Sequence, residues 1–260
     1  MSAPSGAGGG GPRVRGGAPG RTAAMCGRYV SARDDKDLVA LFEVDDRIDG
    51  GWRPSWNVAP TQSVRVVFDL AEGPDGAAPR RLLRDVRWGL VPVWAKDPGI
   101  GSRMINARSE TVTEKPSFRA AAARRRCVVP ADGYYEWSTA GGTKVPYYLH
   151  PEDGGVLAFA GLYERWPVPE KADDDPDRWL WTCTILTGPA TDALGHIHDR
   201  TPRIVPPDMV DAWLDPGVTD KEEVRGLVDA IPAPHLVPRR VGPAVGSVRN
   251  NGPGLVEPVG

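Results

Sequence analysis

A cysteine stands directly behind a methionine in Met25-Cys26-Gly27-Arg28, and removal of that methionine makes it an N-terminal residue. A terminal cysteine carries a thiol with an ordinary pKa of about 8.5 and an α-amine of about 7.7 to 8.0, so both supply nucleophile near neutrality. Together they suit capture of an aldehyde. The amine condenses to an imine, the thiolate adds to the imine carbon, and a five-membered thiazolidine closes within one residue. Taken alone, Cys26 reads equally well as a small buried hydrophobe. Its neighbours favour chemistry, because Gly27 permits close approach and Arg28 can hold an anion beside the nucleophile. Residues 1–24, rich in Gly, Pro and Arg, contain almost nothing to bury and are expected to be a disordered leader or a misassigned start. While they remain attached, the amine is an unreactive amide.

Two further residues suit proton handling and a third can orient a partner. Glu136 lies among aromatic residues in Tyr134-Tyr135-Glu136-Trp137, where desolvation raises a carboxyl group toward the range useful for proton transfer; pairing with an arginine is the structural alternative. His198, in Ile197-His198-Asp199-Arg200-Thr201-Pro202, belongs to the residue type that ordinarily titrates near pH 7 and can shuttle a proton; a hydrogen-bonded loop histidine is the alternative. Asn106 both donates and accepts without changing charge. Single-stranded nucleic acid needs cations for phosphates and flat faces for bases. Arg28, Arg108 and Arg119 are candidates for the first, Trp94 and Trp137 beside Pro60 for the second, and Asn57 joins them as a polar contact. Each arginine has a structural salt bridge as its alternative. Arg124 to Arg126 are either part of a positive face or a solvated helix end.

These residues need elements to hold them. Apolar residues at helical spacing predict a helix over 34–42, alanines followed by arginines predict one over 117–126, and 207–214 and 221–230 also read as helices. Strands are expected at 28–30, 64–70, 82–88, 127–129, 134–137, 145–149, 156–160, 179–186 and 236–241, with a Gly-Pro loop at 72–79. So few regular β-α-β alternations point to an α+β domain around a curved mixed or antiparallel sheet, or an open barrel, flanked by short helices.

The 260 residues carry a formal net charge of −2 and an ordinary apolar fraction, which argues against a protein that is basic all over. The cations are local: residues 103–126 are arginine-rich, whereas 170–177 are acidic. Three cysteines without C-x-x-C spacing indicate neither a disulfide framework nor a zinc site, and a reducing cytosol is the expected compartment. No run approaches the roughly 20 apolar residues of a membrane span.

Read in order, the chain gives Asn57-Val58-Ala59-Pro60, Trp88-Gly89-Leu90-Val91-Pro92-Val93-Trp94-Ala95-Lys96, Ile105-Asn106-Ala107-Arg108-Ser109-Glu110-Thr111, Arg125-Arg126-Cys127-Val128-Val129-Pro130-Ala131-Asp132-Gly133-Tyr134-Tyr135-Glu136-Trp137 and Ile197-His198-Asp199-Arg200-Thr201-Pro202. This ordered series resembles the SOS response-associated peptidase (SRAP) family, the abasic-site processing proteins. The resemblance runs from Met25 to near Pro258 and implies one domain over 25–258 with the family's fold. It also implies recognition of abasic sites in single-stranded DNA and linkage of the terminal cysteine to the sugar aldehyde as a thiazolidine, with reversal and AP-lyase-type side chemistry. The family's nucleophile falls on Cys26, and its active-site asparagine, glutamate and histidine on Asn106, Glu136 and His198. No cofactor, metal, membrane or obligate protein partner is expected, and the location implied is the cytoplasm, on the nucleoid when DNA-bound. The competing readings are a cysteine peptidase or amidohydrolase using Cys26, His198 and Glu136, or a non-catalytic single-strand binder. The leader departs from the family pattern, in which the methionine that precedes this cysteine starts the chain. Self-cleavage at Met25-Cys26 is one way to expose it.

Overall fold

A computed structural model describes residues 27–48, 50–71, 79–190 and 197–260. Cys26 and His196 lie outside them. Five strands, β4 (Ser63–Leu70), β5 (Arg80–Trp88), β7 (Arg126–Ala131), β10 (Leu157–Pro167) and β11 (Trp179–Pro189), pair in the order β5-β4-β7-β10-β11. Parallel pairing of β11 with β5, Cys183 beside Trp88, closes the ring. Closure removes the exposed edges that an open sheet would leave.

Period-two alternation sorts the side chains. Val66, Phe68, Trp88, Cys127, Val129, Phe159, Cys183 and Ile185 fill the barrel interior. Val67, Val128, Ala160, Leu162 and Leu186 point outward into a second cluster. That outer cluster is covered by α1 (Asp35–Leu41), α2 (Arg119–Arg124), α3 (Val210–Leu214) and α4 (Lys221–Ala230) through Leu38, Ala121, Ala122, Trp213, Leu214, Val224 and Val228. Asp34 and Asp220 cap α1 and α4 by accepting backbone N–H groups of their first turns.

A second sheet, in the order β13-β9-β8-β1-β3, uses β1 (Tyr29–Ser31), β3 (Ser55–Val58), β8 (Gly133–Ala140), β9 (Thr143–His150) and β13 (Val237–Arg240). Tyr29, Val58, Tyr134 and Leu149 turn one face into the barrel cluster. Val30, Tyr135 and Tyr148 turn the other toward Val241, Val245, Leu255 and Val256 near the C-terminus. Short strands β2 (Asp46–Ile48), β6 (Asn106–Arg108) and β12 (Arg200–Pro202) complete the sheets.

The expected strands and helices are present, with two instructive differences. The second helix ends at Arg124, and Arg126 is a buried strand residue rather than part of a solvated helix end. Its guanidinium donates to the carbonyls of Ala122 and Ala123, which the end of α2 leaves unpaired, and to those of Trp213 and Asp215. The barrel is closed by the β11–β5 pairing, and at its end Gly89 lets the chain leave β5 at φ 124° beside Gly101. A Cβ on Gly89 would sit 2.5 Å from the Gly101 carbonyl oxygen. Gly89→Ala is therefore expected to lose about 3 kcal/mol, on the order of 10 °C in Tm, and an unchanged melt would show that the two backbones part freely.

A candidate active-site cleft between the two sheets

Strand β1 pairs antiparallel with β8, Tyr29 opposite Tyr134. The Tyr135 amide also donates to the Arg28 carbonyl at 2.9 Å. Continued two residues further, this register brings Gly27, the residue after Cys26, level with Glu136. Glu136 is 4% exposed on the same face of β8 as Tyr134. The Tyr134 hydroxyl shares a 2.8 Å hydrogen bond with the Thr201 hydroxyl, and so ties β8 to β12, the strand that follows His198. The result is a cleft of about 590 Å³ whose described lining includes Glu136, Trp137, Lys144, Ile197, His198 and Gly246.

His198 is oriented by its own loop. Its Nδ1 accepts the Arg200 backbone N–H at 3.1 Å, which assigns the proton of the neutral ring to Nε2. The same Nδ1 lies 3.0 Å from the Asp199 carboxylate.

Arg200 had no assigned role from sequence, yet it is the buried anchor of this region. It forms a two-pronged pair with Glu110 at 2.6 and 2.8 Å and also donates to the Thr187 carbonyl. Glu110 lies in the turn directly after β6, so the clamp joins the element carrying Asn106 to the element following His198. No short-range signal marked it, because the three residues of β12 are too few to show a period.

The Arg200 hydrogen bonds hold the Glu110 carboxyl at about 2. An unfolded glutamate titrates near about 4.3, so the clamp stabilises the fold above that pH and its contribution is lost as pH falls through about 2. The Glu110 side chain is 43% exposed, so solvent screening limits the effect to about 1 kcal/mol. Melts of Glu110→Gln should lie below wild type at pH 7 and converge with it near pH 2; a gap that persisted in acid would assign the loss to shape.

The remaining sequence candidates lie on several elements. Asn106 opens β6, beside Ile185 of β11, half-buried and not among the described lining residues. Arg28 donates to the Asn57 side-chain oxygen at 2.9 Å and to the Val245 and Gly246 carbonyls, behind the cleft wall. Among the described residues it has no carboxylate partner, and burial lowers its pKa. Asn57, expected as a DNA contact, is buried instead and donates to the Val245, Ser247 and Asn250 carbonyls; it holds Arg28 and the C-terminal turn in place. Trp137 lines the cleft, and Pro60 is half-buried after β3.

Trp94 is 56% exposed beside exposed Val93. Its loop is pinned where the Trp166 indole donates to the Ala95 carbonyl at 2.7 Å and the Val91 amide donates to Thr182. An apolar pair presented on an anchored loop is suited to stacking or wedging. Arg108 and Arg119 are both exposed, Arg108 at the end of β6 and Arg119 at the start of α2 in the helical layer. Among the described residues no group of three metal-ligating side chains occurs.

This is an α+β protein with a small closed barrel and a second sheet, and with a cleft lined by both a buried carboxylate and a histidine. The chain belongs to the SOS response associated peptidase (SRAP) family, whose model matches residues 25–248. It is 39% identical over 235 residues to the abasic site processing protein YoqW of Bacillus subtilis, covering 90% of this chain and 99% of that one. It is 34% identical over 269 residues to the abasic site processing protein HMCES of Gallus gallus, covering 90% and 78% respectively. A Bacteroides thetaiotaomicron protein of solved structure shares the fold, with TM-score 0.74 at 23% identity over 90% of this chain and all of that one.

Proposed function

We propose that this protein processes abasic sites in single-stranded DNA by covalent capture through Cys26. The observation that carries the reading is the joining of Glu136 and His198 in one cleft at the end of β1, the strand that begins just after Cys26. The names of the similar proteins agree with the substrate. The domain concerned is 25–258, and the chemistry requires that residues 1–25 be removed or never made, so that the amine is free.

The deoxyribose aldehyde supplies an electrophilic carbon. The amine nitrogen of Cys26 attacks it, and the carbinolamine loses water with a proton from an acid, a role that suits Glu136. The thiolate then adds to the imine carbon, forming the C–S bond, and the nitrogen takes a proton. No oxidant or cofactor enters. Before the ring closes, the imine acidifies the adjacent carbon, and elimination of the 3′ phosphate accounts for lyase-type side chemistry. His198 suits opening of the sugar hemiacetal and the reverse reaction. A peptidase reading uses the same groups but needs no free amine. The test is intact mass before and after incubation with an abasic oligonucleotide. Addition of the oligonucleotide mass less one water to a protein beginning at Cys26 supports capture, and a protein active with residues 1–24 attached refutes it.

Trp94, Trp137 and Pro60 supply the flat faces, and Arg28, Arg108 and Arg119 the cations. Arg108 has no ion pair among the described residues, so its loss should act on DNA alone. Arg108→Ala is expected to weaken single-strand binding and flatten its log–log salt dependence by about 0.7. An unchanged slope would remove Arg108 from the phosphate contacts.

A further inference from the structure

We propose a second ligand site, for a small organic carboxylate, in a cavity of about 310 Å³ lined by Tyr29, Trp52, Arg53, Val58, Val64 and Arg65. It is independent of the reading above. Three buried polar atoms of its walls have no protein hydrogen-bond partner: the Tyr29 hydroxyl, the Trp52 indole nitrogen and the Arg65 Nε. Tyr29 and Arg65 are each only 2% exposed. Buried donors left unpaired are rare and costly, which makes three around one cavity informative.

The surroundings fix the donors in place. Arg65 donates to Asp35 and to the Ser31 hydroxyl, each at 2.8 Å, which orients its guanidinium over the Trp52 ring at 4.2 Å. Trp88 and Phe159 meet the Tyr29 ring edge to face. Burial pushes the Tyr29 phenol far up, so it remains a donor. The three unpaired atoms can all donate, and a ligand end that offers lone pairs, as a carboxylate does, satisfies them.

Charge and shape narrow the class. Arg47 pairs with both Asp35 and Asp85, so Arg47, Arg65, Asp35 and Asp85 form a neutral set. Exposed Arg53 at the rim adds one positive charge with no carboxylate partner among the described residues. One unmatched cation, with Asp85 in the wall, suits a monoanion better than a phosphate dianion. The Tyr29 and Trp52 rings with Val58 and Val64 then provide apolar walls for an organic body attached to the carboxylate.

The experiment follows the Trp52 indole N–H by nitrogen-15 NMR in the full chain, with the peak assigned by its loss in Trp52→Phe. Acetate, benzoate and inorganic phosphate are the probes. Benzoate should shift the peak saturably and bind about tenfold or more tighter than acetate, because burying its ring adds apolar contact at the same charge. Phosphate should bind more weakly than benzoate. Tyr29→Phe removes a hydroxyl without an internal partner, so it should melt no lower than wild type while weakening benzoate several-fold. The proposal is overturned by a shift that never saturates, by tighter binding of phosphate, or by equal benzoate affinity in Tyr29→Phe. It is overturned equally by a lowered melt of that variant, which would mean that water already satisfies the hydroxyl.

Discussion

Cys26→Ala is expected to abolish the denaturation-resistant adduct with abasic single-stranded DNA while leaving non-covalent affinity nearly unchanged. Only the thiol is lost, and none of the cations or aromatic faces that bind the strand is touched. The adduct measured on a denaturing gel should fall from the dominant product to background. Cys26→Ser retains the amine and provides the internal comparison: its imine should be trapped by borohydride yet fall apart on heating without it, because a hydroxyl closes the ring far less readily than a thiolate. A heat-stable conjugate formed by Cys26→Ala at the wild-type rate would refute thiazolidine formation. The pair also separates the covalent reading from a non-catalytic binder, which tolerates both substitutions.

The second large effect is expected at Glu136. Glutamine fills the same volume, so Glu136→Gln should keep the buried site and the Tyr134–Thr201 hydrogen bond that holds the cleft together. What it removes is the exchangeable proton. Capture and release should both slow by roughly 10² to 10⁴, the usual range for loss of a general acid or base, with DNA affinity little changed. The measurement is a pulse of labelled abasic DNA followed by an unlabelled chase. His198→Ala in the same assay should capture measurably but release slowly, since its part lies in ring opening and reversal. Wild-type capture by Glu136→Gln would remove the glutamate from the mechanism, and wild-type release by His198→Ala would remove the histidine.

The sequence by itself determined which residue types were available for this chemistry and most of the elements that hold them. Strands such as β4 and β10 show as short, nearly continuous apolar runs, because one face fills the barrel and the other meets helices, so both are buried. The helices were legible too, α1 from its apolar spacing and α2 from its run of alanine and arginine. Short strands were not. Asn106–Arg108 and Arg200–Pro202 have three residues each, too few to show a period, and they exist because β11 offers them a ladder on either side. The tertiary structure alone decided the partners of the charged groups. Arg126 and Arg200 look like surface cations in a linear reading, but each is buried against groups about 90 residues away, carbonyls in one case and a carboxylate in the other. Asn57 likewise reads as a DNA contact until its donors are found on the turn at 245–250. Burial and pairing depend on which distant segments fold over a residue, and local sequence carries no record of that. The joining of Glu136 to His198 is of the same kind, made where the Tyr134–Thr201 hydrogen bond ties β8 to the strand that follows His198.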